Sequence, residues 1–180
     1  VLSAKAAASA TIYAMSATVQ PPVIGWKEYV GLPELGVASL KAKVDTGART
    51  SSLHVEAIRT LGEPTDGEAE LEITIAPDRR HPERLVRTRV KQLARIPVTD
   101  SGGHTELRPV IETLLILGPV EKRIRLTLAD RSTMLFRMIL GRKALEGDFT
   151  VDVSRKYLQP RPAGRRSPGR PAAPEEKGAP

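Results

Sequence analysis

Asp45-Thr46-Gly47-Ala48 is where side-chain chemistry changes most abruptly along the chain. An apolar run ending at Val44 meets a carboxyl, a hydroxyl and two small residues. A carboxyl can take a proton from water, a hydroxyl can both donate and accept a hydrogen bond, and glycine lets a neighbouring chain approach closely. The same triplet after a strand is also an ordinary turn, so local chemistry alone leaves catalysis and turn formation both open. A second segment, Met138-Ile139-Leu140-Gly141-Arg142-Lys143-Ala144-Leu145, reads as an apolar strand, a glycine turn and a short helix. The three histidines, His54, His81 and His104, lie 27 and 23 residues apart, and H-E-x-x-H is absent. His54 and His104 could join a carboxylate in space to hold zinc, but scattered histidines are more often ordinary polar residues, and the expectation is no metal and no cofactor.

The elements that must position these residues are short strands. Trp26–Val30, a turn at Leu32–Gly36 and Ala38–Val44 suggest a hairpin, with Leu40-Lys41-Ala42-Lys43-Val44 alternating at period two. Further strands are expected at Ser51–Ile58, Glu70–Ile75, Leu85–Val90, Thr105–Leu117, Lys122–Leu128 and Met134–Leu140. Glycines and prolines punctuate them, and only Arg142–Glu146 reads as helical, closed by Gly147. Many short strands with one short helix predict an all-β barrel or sandwich and argue against a βαβ fold.

Asp45-Thr46-Gly47-Ala48, followed much later by Ile139-Leu140-Gly141-Arg142, resembles the retropepsin-like aspartic peptidases. The longer strings IGWKEYVGLPELG, KAKVDTGARTSSLH, RPVIETLLILG and MILGRKAL resemble, more narrowly, a bacterial group called ATP-dependent zinc proteases, often found beside ATP-grasp ligases of the ribosomal-protein glutamate-ligase type. The resemblance covers roughly residues 23–158 and implies a closed retropepsin-like barrel or sandwich with one short C-terminal helix. It implies that Asp45 is catalytic, that Thr46 braces two catalytic loops across a dimer, and that Gly47 and Ala48 line the substrate groove. Ile139, Leu140 and Gly141 would pack beneath Asp45, with Arg142 opening the helix. Because this chemistry needs two carboxylates and the motif supplies one, the resemblance implies a two-fold homodimer. Asp100-Ser101-Gly102 fits a looser D-[ST]-G form but lacks its own strand–glycine–helix repeat. The segment Asp100–His104 is therefore expected as the tip of a flap, with Ser101, Gly102 and Gly103 touching peptide. Retropepsins commonly carry Asp after D-T-G-A; Arg49 stands here. A basic residue at the groove mouth favours an acidic, glutamate-rich peptide, and it is equally an ordinary surface arginine.

The 180 residues suffice for one ordinary domain and are too few for two of typical size. The expected layout is a flexible leader at 1–22, the peptidase-like domain at 23–158 and a disordered basic tail at 159–180. The tail holds five basic residues, two acidic ones and six of the 15 prolines, so no apolar face can be drawn through it. With no cysteine, disulfide scaffolds, thiolate zinc sites, iron–sulfur clusters and cysteine nucleophiles are excluded. Although the formal charge is +7, aromatics at 3% and a single tryptophan argue against a base-stacking surface, so no specific nucleic acid is expected. No apolar run approaches a membrane span, no G-x-x-x-x-G-K-[ST] is present, and the leader resembles a poor signal peptide; the expected location is the cytoplasm. The leading reading is an aspartic peptidase acting as a homodimer on peptide, with an ATP-grasp ligase as partner. Its alternatives are a non-catalytic peptide-binding module beside such a ligase and, third, a zinc metallopeptidase.

Overall fold

The computed structural model describes residues 20–65, 68–99 and 102–163. Its centre is a closed six-stranded barrel built from β2 (Lys27–Leu32), β3 (Val37–Val44), β4 (Ser51–His54), β9 (Thr105–Leu117), β10 (Val120–Ala129) and β11 (Met138–Leu140). Around the barrel the order is β10-β4-β11-β3-β2-β9, and β9 closes it by pairing antiparallel with β10. Two pairings are parallel, β10 with β4 and β11 with β3. The expected all-β barrel with a single short helix is therefore the architecture found, the helix being α1 (Arg142–Leu145).

Alternation makes the wall. In β3, Val37, Leu40, Ala42 and Val44 face the interior while Lys41 and Lys43 face water. Leu53, Ile111, Leu115, Leu126, Leu128, Met138 and Leu140 fill the same core from the other strands. A three-stranded sheet of β5 (Ala57–Thr65), β6 (Glu68–Ile75) and β7 (Val86–Gln92) adds Leu71, Ile73 and Ile75 to that cluster. From the barrel's edge, β8 (Ala94–Thr99) pairs with the first half of β9 as a projecting hairpin. A small parallel pair, β1 (Val23–Gly25) with β12 (Thr150–Asp152), ties the two ends of the domain together.

Several elements depart from expectation for physical reasons. The strand expected through Ser51–Ile58 ends at His54, and a separate strand begins at Ala57, because the chain leaves the barrel for the three-stranded sheet. The strand expected at Met134–Leu140 is only Met138–Leu140, and the preceding residues form a loop with Met134 and Leu135 exposed. The unforeseen β8 contains Pro97, tolerated because this strand lies at the sheet edge. Residues 159–163, placed in the tail by the sequence reading, lie against the barrel: Gln159 Nε2 donates to the Val23 carbonyl (2.7 Å) and Arg161 Nε to Ser39 Oγ (3.0 Å). The rest of the expected tail, and most of the expected leader, lie outside the described residues.

Candidate active site

The loop carrying Asp45 leaves β3 and is held from below by β11. Leu140 sits in register with Val44, and the Asp45 amide donates to the Leu140 carbonyl at 2.9 Å. On the other side, the Val44 amide donates to the Trp26 carbonyl at 2.9 Å. Asp45 also organises its own turn: Oδ1 accepts from the amides of Gly47 (3.1 Å) and Ala48 (3.2 Å). This is the local side-chain-to-backbone bonding that Asp favours in turns. Thr46 and Gly47 are exposed at the loop's tip, while Asp45 and Ala48 are half-buried.

The second motif closes on the same loop. The amide of Gly141 donates to Ser51 Oγ at 3.1 Å, and the amides of Arg142 and Lys143 donate to the carbonyls of Ala48 (2.9 Å) and Arg49 (3.1 Å). Arg142 opens α1, and its guanidinium reaches back so that Nη1 donates to the carbonyls of Thr46 (2.8 Å) and Gly47 (3.0 Å). Thus Asp45, Thr46, Gly47, Ala48, Leu140, Gly141 and Arg142, separated by about 95 residues of sequence, form one hydrogen-bonded unit. Ile139 lies in β11 and is half-buried, and the Arg49 side chain is exposed.

Residues 102–104, expected in the tip of a flap, follow β8 in the β8–β9 hairpin, and Asp100 lies outside the described residues. Thr99 and Thr105 face one another in register, with their hydroxyls 2.8 Å apart. Gly102 and Gly103 are exposed at its end, and Gly103 has φ +83°, the left-handed conformation glycine tolerates in such tips. Ser101, expected to touch peptide, lies outside the described residues.

Sequence reasoning missed three contributors. Ser51 follows directly on the Asp45 loop, and a hydroxyl there is a readable signal. Arg108, in register with Ile96 on the hairpin, donates from Nε to Glu106 Oε2 at 2.9 Å and is largely buried. Arg131 lies half-buried in the loop between β10 and β11. Burial pushes its guanidinium below the ordinary value, the charge of Arg108 adds to that, and Asp45 opposes both. Arg131 thus feels the charges of both Arg108 and Asp45, and nothing in the sequence signals that proximity.

The histidines are dispersed in role. His54 is buried at the end of β4, its Nδ1 accepting from the Arg131 amide at 2.8 Å. His81 and His104 are exposed. Among the described residues, no group of three or more His, Asp or Glu side chains is placed to hold a metal ion. Nor is any helix among them long and apolar enough to cross a membrane.

A closed barrel with an Asp-Thr-Gly loop resting on a Leu-Gly turn and short helix is the retropepsin-like arrangement. Residues 23–162 match the family described as RimB-like, "Retropepsin-like aspartic endopeptidase RimB", and the chain belongs to that family. Among known proteins it is 37% identical over 138 residues to a probable alpha-L-glutamate ligase of Desulfotalea psychrophila, covering 77% of this chain and 29% of that protein. A probable alpha-L-glutamate ligase of Shewanella pealeana is 36% identical over 135 residues, covering 75% of this chain and 29% of that protein. The chain therefore spans under a third of the length of these curated relatives. A Legionella pneumophila protein of unknown function (DUF785) has the same fold, with a TM-score of 0.61 and 24% identity over 76% of this chain and 97% of that one.

Proposed function

We propose that this chain is an aspartic endopeptidase in which two Asp45 carboxyls meet on the axis of a homodimer. The observation that carries the reading is the Asp45 loop itself, fixed through the Leu140 carbonyl and the Arg142 guanidinium with Thr46 left exposed at its tip. An exposed hydroxyl there can meet its symmetry copy and brace the pair of loops. Two carboxyls about 3 Å apart cannot both ionise, so they share one proton. The ionised member takes a proton from water as the water oxygen attacks the scissile carbonyl carbon, and the protonated member gives its proton to the carbonyl oxygen. On collapse the C–N bond breaks and the nitrogen takes up a proton, leaving a new carboxyl and a new amine. Gly47 and Ala48 then line the groove floor, Ile139 supports it from β11, and Gly102 and Gly103 close from the hairpin.

The substrate is an acidic, glutamate-rich peptide. Arg49 is exposed beside the loop, and the Arg131 guanidinium feels the charge of Asp45. The relatives named as glutamate ligases support the same direction, since a ligase adding glutamate makes the kind of peptide such a site would accept. Those names also favour a second reading, a peptide-binding module that works with an ATP-grasp ligase without cleaving anything. To test the choice, purified wild type and Asp45→Asn are assayed on glutamate-rich and neutral peptides, with and without chelator, alongside sedimentation. The account expects a dimer that cleaves acidic peptide regardless of chelator, and a turnover loss of at least about 10²-fold in Asp45→Asn. Tight binding without cleavage selects the second reading. Cleavage abolished by chelator selects a metallopeptidase, and cleavage by a strict monomer refutes the shared site.

A further inference from the structure

His54 is only 1% exposed, and two of its hydrogen bonds run to one loop. Its ring Nδ1 accepts the Arg131 amide at 2.8 Å, and its own amide donates to the Arg137 carbonyl at 2.7 Å. One residue of β4 therefore pins both ends of the segment 131–137, between β10 and β11. A backbone amide only donates, so Nδ1 carries no proton and the neutral ring holds its proton on Nε2. Nε2 lies 3.0 Å from Glu56 Oε1, an oxygen that Arg137 Nη1 also approaches to 3.0 Å, and neither nitrogen makes a hydrogen bond. Asp130 Oδ1 is 3.6 Å from Nδ1. Within the pinned loop, Arg131 Nε donates to the Phe136 carbonyl at 3.4 Å, and its guanidinium feels the charge of Asp45.

We propose that His54 is a positioning residue of the groove: its unprotonated Nδ1 holds the Arg131 amide, and so fixes the loop 131–137 as the wall against which a bound peptide lies beside Asp45. The ring itself touches neither substrate nor the reacting atoms. A residue that merely fills the core would be replaced by any side chain of similar volume. One that positions the loop requires an acceptor at the place of Nδ1. The proposal rests on the groove binding peptide, as the peptidase reading holds, and its test keeps the two separable.

The test compares His54→Asn, whose Oδ1 stands where Nδ1 does, with His54→Leu, which has bulk and no acceptor. KM and kcat for an acidic peptide are measured in the full chain, together with amide exchange at Arg131 and thermal midpoints. His54→Leu should raise KM about tenfold, leave kcat within a few-fold and speed exchange at Arg131, while His54→Asn stays near wild type in all three. Nitrogen NMR of the wild type should show the proton on Nε2. An unchanged KM in His54→Leu, equal losses in both variants, or a proton on Nδ1 would overturn the proposal. Absence of turnover in the wild type refutes the peptidase reading alone. The proposal is then decided by the Kd of the same peptide, which His54→Leu must weaken and His54→Asn retain.

Discussion

A Cβ placed on Gly141 would sit 2.6 Å from the backbone carbonyl carbon of Thr50, with no side chain between them that could yield. Glycine is required there because the two motifs touch backbone to backbone, and the Ser51 hydroxyl completes that contact by accepting the Gly141 amide. Removing the hydroxyl with Ser51→Ala leaves a buried amide unpaired. We expect a stability loss of about 1–3 kcal/mol in denaturant unfolding, with the Asp45 loop loosened. At this scale the sequence is legible where function is contiguous: Asp45-Thr46-Gly47-Ala48 and Ile139-Leu140-Gly141-Arg142 stand out as uninterrupted strings. Arg131 and His54 do not stand out, because their link spans 77 positions and depends on which face of β4 turns inward.

The segment following β12 runs back across the barrel and is fastened by one buried side chain. The oxygens of Glu28, which is fully buried, accept the amides of Gly25 (2.7 Å), Leu158 (2.8 Å) and Gln159 (3.3 Å). Tyr157 stacks on Tyr29 with ring centroids 4.8 Å apart, and Arg161 lies over the Tyr29 ring at 4.7 Å. Glu28→Gln puts an NH2 group where an acceptor is needed. It should cost on the order of 3 kcal/mol and open residues near Leu158 to protease, which limited proteolysis with mass spectrometry will show. Nearby, the Ser154 hydroxyl, the Arg155 guanidinium and the Ser154 amide hold the Asp152 carboxyl down from 3.8 to about 2. Because the folded value is the lower one, the stabilisation is fully present above pH 3.8 and is lost as pH falls toward about 2. Asp152→Asn should therefore lower stability above pH 3.8 and converge on the wild type as pH falls toward about 2, which urea unfolding across that range will show. Elements were legible where alternation is regular, as in β3 and β7. β8 was hidden because Pro97 reads as a breaker until its strand is known to lie at an edge.

Closure of the barrel belongs to the whole molecule, and periodicity does not encode it. Nothing in the alternation of β4 says that Leu53 will lie in register with Leu128, or that β11 will run parallel to β3. The two motifs supply that information indirectly, since a loop held by Leu140 and Arg142 forces distant strands together. For the same reason the domain extends past the expected end at 158, and the match to the RimB-like family reaches residue 162. In the proposed mechanism the second carboxyl likewise comes from beyond the single chain, through a second copy about a two-fold axis. The measurement that tests this most directly is the pH dependence of kcat/KM on an acidic peptide, for wild type, Asp45→Asn and the His81→Gln and His104→Gln variants. A shared proton predicts a bell, with loss at low pH when both carboxyls are protonated and at higher pH when both are charged, the two apparent values belonging to the pair. The account predicts that bell in the wild type, unchanged limbs in both histidine variants and no measurable turnover in Asp45→Asn; activity persisting in Asp45→Asn, or an alkaline limb that moves with either histidine, would contradict it.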